Sequence, residues 1–401
     1  MSDIFIGRQP IYDRKLSVYA YELLFRDNTD NAAAVVDGDS ATSNVLVNTF
    51  MELGLDNIVG SRPAFINLTR SFFTDQQVIS LPRERVVLEL LEDIEPDEEV
   101  VKGVRRLSEQ GYTIALDDFI YHESLQPLVD LADIIKIDIM ALDRGEVRDH
   151  VQQLRKYSTR LLAEKVESRE EHEFCMDLGF DYFQGYFLAQ PKVIRGRRLP
   201  NNRLAILELM GRLQDPEITF DDLQELISSD PGFCYRILQY VNSAARGLNQ
   251  EVDSIHRAIT LLGLQAIKDM ATMLSMARID NKPTELVVTA MLRAKMCECL
   301  ATEQHEDTPH TWFTVGLLSA LDALMDNSME EILTQLRLTV EVSDALLHHT
   351  GPLGRTLSCV LAYERGWWEH IQCDDLDRKR ISDCYLAALQ WANRTSRQLI
   401  G

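Results

Sequence analysis

Residues 64–188 contain six short apolar runs separated by segments with helical spacing. The runs are AFIN (64–67), RVVLEL (85–90), YTIAL (112–116), DIIKI (133–137), RLLAE (160–164) and DYFQGYFL (181–188). Strand and helix in alternation predict a parallel sheet with helices outside it. With two earlier strands, near FIGRQPIY and SVYAYELLF, the sheet has enough strands to close into a barrel.

Beyond about residue 202 the strand signals stop and helical spacing takes over. Apolar residues recur at helical intervals in NRLAILELMGRLQ (202–214), TFDDLQELISSD (219–230) and SIHRAITLLGLQAIKDMATMLSMA (254–277). We expect Asp221 or Asp222 to cap the second of these helices and Ser254 the third. The second half is therefore predicted to be an all-helical domain.

A basic, proline-containing segment, PKVIRGRRLPNNR (191–203), interrupts both patterns and is interpreted as the domain joint. The predicted organisation is a barrel domain over residues 1–192, a linker over 193–203 and a helical domain over 204–401.

The overall charge limits the partners that the chain can take. Asp and Glu outnumber Lys and Arg by 63 to 41, a formal charge of −22, which argues against non-specific binding of DNA or other nucleic acid. No stretch approaches 18 consecutive apolar residues, and the amino terminus lacks the layout of a signal peptide. We therefore expect a cytoplasmic protein without a membrane anchor, with its seven cysteines as reduced thiols.

Each apolar run of the first half is followed by a polar or charged residue. These residues are Asn67, Glu89, Asp117 with Asp118, Lys136, Glu164 and Gln184, and Glu22 ends an earlier strand. From Asn67 onward the intervals are 22, 28, 19, 28 and 20 residues, about one strand–helix unit each. In a parallel barrel such positions meet at one mouth, where the active sites of this architecture lie.

Several carboxylates in one cleft raise one another's pKa values, and a divalent cation removes that conflict. Carboxylate oxygens and the Asn67 amide suit Mg²⁺, Mn²⁺ or Ca²⁺ rather than a thiolate-type zinc site. Two such ions would polarise a phosphodiester and generate a hydroxide nucleophile at neutral pH. Lys136 would orient that water or hold a phosphate oxygen.

The motifs QPI, YELLFR, FINL, LELLE, DDF, IKID, AEKVE and QGY occur in this order, and the stretch 4–192 resembles the EAL domain. That domain is a modified TIM barrel that hydrolyses cyclic di-GMP, and its signature Glu-Ala-Leu reads Glu-Leu-Leu here. The resemblance implies that two Mg²⁺ or Mn²⁺ ions bind Glu22, Asn67, Glu89, Asp117, Asp118 and Glu164. It implies that Lys136 positions the attacking water and that Glu164 serves as ligand or general base. Substrate contacts are implied for Gln9, Arg26 and Gln184.

The chain departs from the family pattern around the substrate. After DDF the family has a glycine- and serine-rich loop, whereas this chain has Ile120 and Tyr121, which predict a stiffer loop. Glu92, which steadies that loop in the family, is expected to lack its partner. Lys165 replaces the glycine of AEGVE, and the segment 31–54 lacks the family's proline-containing stretch. These features resemble the variant subgroup in which EAL is fused to an HDOD domain.

The helical half resembles HDOD, a relative of the HD phosphohydrolases. The matching stretches are LISSDPGFCYRILQYVNSAARGL (226–248), SIHRAITLLG (254–263) and VSDALLHHTGPLGRTLSCVLAYERGWW (342–368). HD enzymes need an adjacent His-Asp pair as metal ligands, but GLL (316–318) is followed by Ser319 and Ala320. We therefore expect a signalling or partner-binding module rather than a second hydrolase.

Together these features predict a metal-dependent phosphodiesterase that opens cyclic di-GMP to linear pGpG. Two alternatives stay open: a non-catalytic cyclic di-GMP receptor that relays its state through the helical half, and a degenerate adaptor that uses neither metal nor nucleotide. We expect a protein partner for the helical half and leave a homodimer open.

Overall fold

The computed structural model describes residues 4–27, 54–74, 81–92, 94–188, 201–244, 252, 254–279, 282–336, 338–373 and 376–399. Most of the unusual segment 31–54 and residues 193–200 of the predicted linker lie outside these ranges. The chain forms two compact units, Met1–Leu188 and Ala189–Gly401.

The first unit is a closed barrel of eight strands that follow one another around the ring in chain order. The strands are β1 (Ile4–Asp13), β2 (Val18–Asp27), β3 (Ala64–Leu68), β4 (Val86–Leu90), β5 (Thr113–Leu116), β6 (Ile134–Asp138), β7 (Arg160–Glu164) and β8 (Tyr182–Gln184). The helices of this unit are α1 (Leu55–Val59), α2 (Arg70–Thr74), α3 (Glu98–Glu109), α4 (Gln126–Val129), α5 (Arg144–Leu154) and α6 (Arg169–Leu178), with 3₁₀ turns at Glu123–Leu125 and Tyr186–Leu188. The predicted barrel of strand–helix units is confirmed.

Strand β1 runs antiparallel to both of its neighbours, β2 and β8, whereas β2 to β8 pair in parallel. The sequence pattern did not predict this reversal. Its cause is the short connection between β1 and β2, because a parallel pair needs a crossover of a dozen or more residues. Asp13 closes the turn by accepting hydrogen bonds from the backbone N–H groups of Lys15 and Ser17, at 2.8 and 2.9 Å.

One residue from each strand contributes to a single buried cluster inside the barrel. The eight residues are Ile11, Ala20, Phe65, Val87, Ala115, Ile134, Leu162 and Tyr182. Side chains alternate in direction along a strand, so residues two positions away on each strand face the same interior. This cluster is therefore the layer on which the polar residues of the mouth rest.

Among the described residues the second unit contains helices and no strand, as predicted. They are α7 (Asn201–Gln214), α8 (Phe220–Ser228), α9 (Pro231–Ala244), α10 (Ile255–Leu262), α11 (Leu264–Ala277), α12 (Thr284–Glu303), α13 (Pro309–Leu318), α14 (Leu321–Met325), α15 (Met329–Leu333), α16 (Val340–His348), α17 (Gly351–Glu364) and α18 (Arg378–Leu399), with a 3₁₀ turn at Trp368–His370. The predicted linker residues 201–203 lie in α7.

Two predictions about these helices, the cap of α8 and the continuity of the stretch 254–277, are corrected by the structure. Ser254 caps α10 as predicted, but α8 is capped by Thr219, and Asp222 completes the capping box from inside the helix. The periodic stretch 254–277 is two helices, because Gly263 has φ 86°, a left-handed value that breaks the helix.

The prediction of seven reduced thiols is wrong for Cys299 and Cys384. These residues form a disulfide that joins α12 to α18 across 85 positions of sequence. Helical packing brings the two Cα atoms within 5.5 Å, a proximity that the spacing of cysteines along a sequence does not reveal. The remaining five cysteines are thiols outside any disulfide.

Within the described ranges, every helix is too short or too polar to cross a lipid bilayer.

Candidate active site at the barrel mouth

The polar residues predicted from the strand ends, apart from Asp118, form the next layer of the barrel interior together with Gln9, which the family resemblance had indicated. On β2 to β8 each lies two positions beyond the buried cluster residue of its strand, and on β1 two positions before it, because β1 is reversed. The set is Gln9, Glu22, Asn67, Glu89, Asp117, Lys136, Glu164 and Gln184. The alternation of strand side chains thus places eight residues, far apart in sequence, around one mouth.

Lys136 is the centre of this layer and has no exposed surface. Its Nζ lies 2.6 Å from Asp117 Oδ1, 2.7 Å from Glu89 Oε1 and 3.0 Å from Glu164 Oε1. Glu22 Oε1 is 3.6 Å away. A single ammonium group therefore contacts four carboxylates that come from four different strands or strand ends.

Glu22 is fixed in place by amide side chains from two sides. Asn67 Nδ2 donates a hydrogen bond to Glu22 Oε1 at 3.1 Å, and Gln184 Nε2 donates to Glu22 Oε2 at 2.5 Å. Gln184 Nε2 also lies 3.1 Å from Gln9 Oε1, and Gln9 pairs with Glu22 in the strand register. Of the two glutamines that we predicted to contact substrate, Gln184 thus bonds a predicted metal ligand directly, and Gln9 bonds Gln184.

Asp118 enters the site through an unusual backbone conformation. Its φ is 41°, and its N–H donates to Asp117 Oδ1 at 3.1 Å. One carboxylate oxygen each from Asp117, Asp118 and Glu164 lies within 4.8 Å of the other two. Among the described residues this is the only group of three or more acidic, histidine or cysteine side chains with ligand atoms that close.

Burial and crowding shift the pKa values of Glu89, Glu164 and Lys136. Burial raises the pKa of Glu89 well above its usual range, against the attraction of Lys136, and Glu22 and Asp117 add to the rise. Burial likewise raises the pKa of Glu164 to about 8. Burial would lower the pKa of Lys136, but the surrounding carboxylates outweigh it and hold that pKa well above the usual value. Lys136 therefore stays charged, and its single positive charge is shared among the surrounding carboxylates.

The site fits a divalent cation on an observation independent of family resemblance. Several buried acceptor oxygens in it have no hydrogen-bond partner among the described residues: Asn67 Oδ1, both carboxylate oxygens of Glu89, Asp118 Oδ1, Glu164 Oε2 and Gln184 Oε1. Of these, Glu89 Oε1 is ion-paired with Lys136. Buried polar atoms of this kind are normally satisfied, and a cation held by Asp118 and Glu164 would satisfy the oxygens nearest to it.

One acidic residue of this region, Asp138, was not among those predicted from the sequence. It lies two positions after Lys136 at the end of β6, so the strand alternation could have indicated it. Asp138 forms an ion pair with Lys165, the residue that stands where the family has glycine.

Three other predicted features are placed as follows. Arg26 lies within β2, but its side chain is outside the described part of the structure. Glu92 is exposed. In the loop after Asp118, Ile120 is 57% exposed, and Tyr121 packs edge-on against Phe119.

Gly185 allows the chain to pass close to the β7–α6 connection. Its φ is 146°, and a Cβ atom there would lie 2.1 Å from the carbonyl oxygen of Val166. The Val166 N–H donates to the Gln184 carbonyl at 3.0 Å. The glycine of the QGY motif therefore supports the placement of both Gln184 and Glu164.

In the helical unit an arginine contacts the position after GLL. Arg293 Nη1 lies 3.3 Å from Ser319 Oγ, and its Nε and Nη2 atoms bond the two carboxylate oxygens of Glu364 at 2.6 and 2.7 Å. The buried guanidinium of Arg293 brings a positive charge to the place where HD enzymes carry metal ligands.

The comparisons with known proteins match both units. The EAL domain model matches residues 8–191, and the HDOD domain model matches residues 199–354. YuxH of Bacillus subtilis, named as an uncharacterized protein, is 33% identical over 97% of this chain and 98% of its own length. CdgJ of Vibrio cholerae, named as a cyclic di-GMP phosphodiesterase, is 31% identical over 99% of this chain and 94% of its own length.

Among solved structures, a manganese and cyclic di-GMP complex of BlrP1 from Klebsiella pneumoniae is similar to part of the chain. It is 22% identical and covers 46% of this chain and 55% of its own, with a TM-score of 0.38. A likeness of this size carries no argument about function.

Proposed function

This chain belongs to the family of proteins that join an EAL domain to an HDOD domain, and on that premise we propose that it is a cyclic di-GMP signalling protein. Its barrel is a metal-dependent phosphodiesterase that opens cyclic di-GMP to linear pGpG. The observation that carries the proposal is the ring of carboxylates around Lys136, with buried acceptor oxygens beside it that have no hydrogen-bond partner among the described residues. The name of the CdgJ relative supports the same substrate.

The residues that would hold two Mg²⁺ or Mn²⁺ ions are the six predicted ones. They are Glu22, Asn67, Glu89, Asp117, Asp118 and Glu164. Bound there, such ions supply Lewis acidity to a phosphodiester and lower the pKa of an attacking water. Oxygen donors without a thiolate favour these hard cations.

Lys136 has a positioning and an electrostatic role in this proposal. Its contacts at 2.6–3.0 Å with Asp117, Glu89 and Glu164 fix the ammonium at the base of the mouth. From there it orients the attacking water and stabilises negative charge as it develops on the phosphate. Glu164 uses Oε1 to hold Lys136, which leaves Oε2 to bind a cation or to accept a proton from the water.

A second candidate is a receptor that binds cyclic di-GMP without hydrolysing it. The observation that favours it is the same lysine, because the Lys136 ammonium lies within 3.6 Å of four carboxylates and compensates part of their charge. The altered loop, with Ile120 exposed in place of the family's glycine, points in the same direction. In both cases the helical unit serves as the signalling and partner-binding module.

The test is incubation of the full chain with cyclic di-GMP and Mn²⁺, followed by chromatography of the products. The expected result is linear pGpG, with turnover abolished by Glu22→Ala and by chelation of the metal. The matched control is Glu109→Ala, which removes an exposed glutamate at the end of α3 that lies away from the mouth.

Calorimetry separates the two candidates. A receptor binds the nucleotide in metal-free buffer and releases no product when Mn²⁺ is added. Turnover that survives Glu22→Ala contradicts the proposed site, and a chain that neither binds nor cleaves the nucleotide contradicts both candidates.

A further inference from the structure

Lys165 brings a second ammonium group to the barrel mouth. Its Nζ forms an ion pair with Asp138 Oδ2 and lies 3.8 Å from Asp118 Oδ2. The Lys165 side chain is 52% exposed, so it is held by these carboxylates rather than by packing. Lys165 thus reaches Asp118 from the solvent side, whereas Lys136 contacts its neighbours from the interior.

The backbone at Lys165 is held in a conformation that favours glycine. Its φ is 54°, which a residue with a Cβ atom adopts only at a cost in free energy. The chain nevertheless places a long cationic side chain there, and the ion pairs with Asp138 and Asp118 stabilise it. Glycine would adopt this backbone conformation at a lower cost, so the turn by itself does not explain the presence of lysine.

Asp138 and Asp118 hold the ammonium in unequal ways. Asp138 uses Oδ1 to accept hydrogen bonds from the N–H groups of Met140 and Ala141, at 2.8 and 3.2 Å, which fixes its carboxylate and leaves Oδ2 for Lys165. Asp118 has one oxygen toward Lys165 and its other, buried oxygen without a hydrogen-bond partner in the described part of the chain.

We propose that Lys165 is a tethered cation that competes with a divalent metal ion for Asp118, so that the ion nearest Asp118 binds more weakly than its neighbour. The inference rests on the metal site of the proposed function. The competition is electrostatic: a metal ion on Asp118 would lie close to the Lys165 ammonium, and like charges repel strongly in a partly buried site. Asp138 weakens this repulsion because its ion pair with Lys165 draws the ammonium away from Asp118.

Two substitutions change this balance in opposite directions. Lys165→Met removes the charge while it keeps an unbranched side chain on the same backbone. Asp138→Asn keeps an oxygen that accepts from Met140 and Ala141 but weakens the hold on Lys165, which then turns to Asp118. Lys165→Arg keeps the positive charge and is the conservative variant.

The experiment is a titration of the full chain with Mn²⁺ alone, without nucleotide. Calorimetry measures the heat of binding, and the electron paramagnetic resonance signal of free Mn²⁺ measures how much of the ion stays unbound. The wild-type chain is expected to bind a stronger and a weaker ion. Lys165→Met is expected to strengthen the weaker site by about tenfold, Lys165→Arg to leave it near the wild-type value, and Asp138→Asn to weaken it further. The control is Lys156→Met, an equal change of charge at an exposed lysine after α5, beyond the opposite end of the β7 strand.

Equal Mn²⁺ affinity in the wild type and Lys165→Met overturns this inference and leaves the proposed function standing. Tighter binding in Lys156→Met as well overturns it too, because the effect would then reflect overall charge. Absence of Mn²⁺ binding in every variant overturns both the inference and the metal-dependent part of the proposed function. Circular dichroism of each variant confirms that the fold is retained.

Discussion

Lys136 and Glu89 face each other at the base of the barrel mouth, both with no exposed surface and with charged atoms 2.7 Å apart. Neither group is solvated, so each depends on the other and on the neighbouring carboxylates for its stability. The pair is therefore a structural requirement of the barrel as well as a part of the proposed chemistry.

Replacing Lys136 with methionine is expected to destabilise the barrel. The substitution leaves Glu89, Glu22, Asp117 and Glu164 without their shared cation, and breaking a buried pair in this way costs about 3–5 kcal/mol. Urea unfolding followed by circular dichroism, in metal-free buffer, measures the loss. Added Mn²⁺ is expected to restore part of the stability, because it binds the same oxygens.

Lys102→Met provides the control for that measurement. Lys102 is 72% exposed and pairs with Glu98 one helical turn away, so its removal is expected to change the free energy of unfolding very little. Equal effects of the two substitutions would show that the buried cluster does not depend on Lys136.

The two glutamines at the mouth are expected to differ in importance. Gln184→Ala removes the donor that holds Glu22 Oε2, so we expect phosphodiester turnover to fall by about tenfold, a loss of roughly 1.4 kcal/mol. Gln9→Ala leaves that hydrogen bond in place and is expected to have a smaller effect on turnover. The two rates are compared at saturating metal. A larger loss in Gln9→Ala would indicate that Gln9 acts directly on the substrate.

Gly185→Ala is expected to disturb the end of β8. The added Cβ atom would meet the Val166 backbone at 2.1 Å, and relief of such a clash requires a backbone shift that costs about 3 kcal/mol. The temperature of thermal unfolding and the affinity for Mn²⁺ are both expected to fall. Gly351→Ala also has positive φ, but nothing lies within 4 Å of its added Cβ atom, so about 1–2 kcal/mol is expected there, with Mn²⁺ affinity unchanged.

Asp269 on α11 is expected to make the stability of the helical unit depend on pH. Burial raises the pKa of Asp269 to about 7, and the nearby negative charge of Glu298 adds to the rise. A hydrogen bond from Gln265 and the positive charges of Lys268 and Lys295 oppose it. The folded state therefore holds a proton that the unfolded chain releases. Stability is fully present below the pKa of the unfolded chain and is lost as pH rises toward 7.

Asp269→Asn removes that loss while it keeps an oxygen to accept from Gln265. Calorimetric unfolding is expected to show the variant more stable than wild type by about 3 kcal/mol near pH 8, with a smaller difference near pH 5. Asp383→Asn, at a side chain that is 62% exposed, is the matched change of charge and is expected to have little effect. Parallel pH profiles for wild type and Asp269→Asn would contradict the prediction.

The convergence at the mouth could be predicted because two periodicities agree. The 19–28-residue spacing of strand ends predicts a common mouth, and the two-residue alternation within each strand predicts that Glu89 and Lys136 face the interior with Val87 and Ile134. Both are local properties of the sequence.

The side-chain contacts at the mouth and the disulfide depend on segments that are distant in sequence, and local patterns do not encode such contacts. The bond from Gln184 to Glu22 and the pairing of Lys165 with Asp138 are set by side-chain direction after the barrel closes. The same holds for the disulfide between Cys299 and Cys384. The residue-by-residue roles at the mouth stay predictions until the substitutions above are measured.

The reversed first strand has a consequence for how the protein is made. β1 is synthesised before the other strands of the barrel, yet one of its edges pairs with β8, where Ile11 lies opposite Gln184, roughly 170 residues downstream. Until those residues leave the ribosome the ring stays open, and an open strand edge is a template for pairing with another chain. Nascent chains truncated within the barrel should therefore depend on chaperones, and the last strand releases them from that dependence.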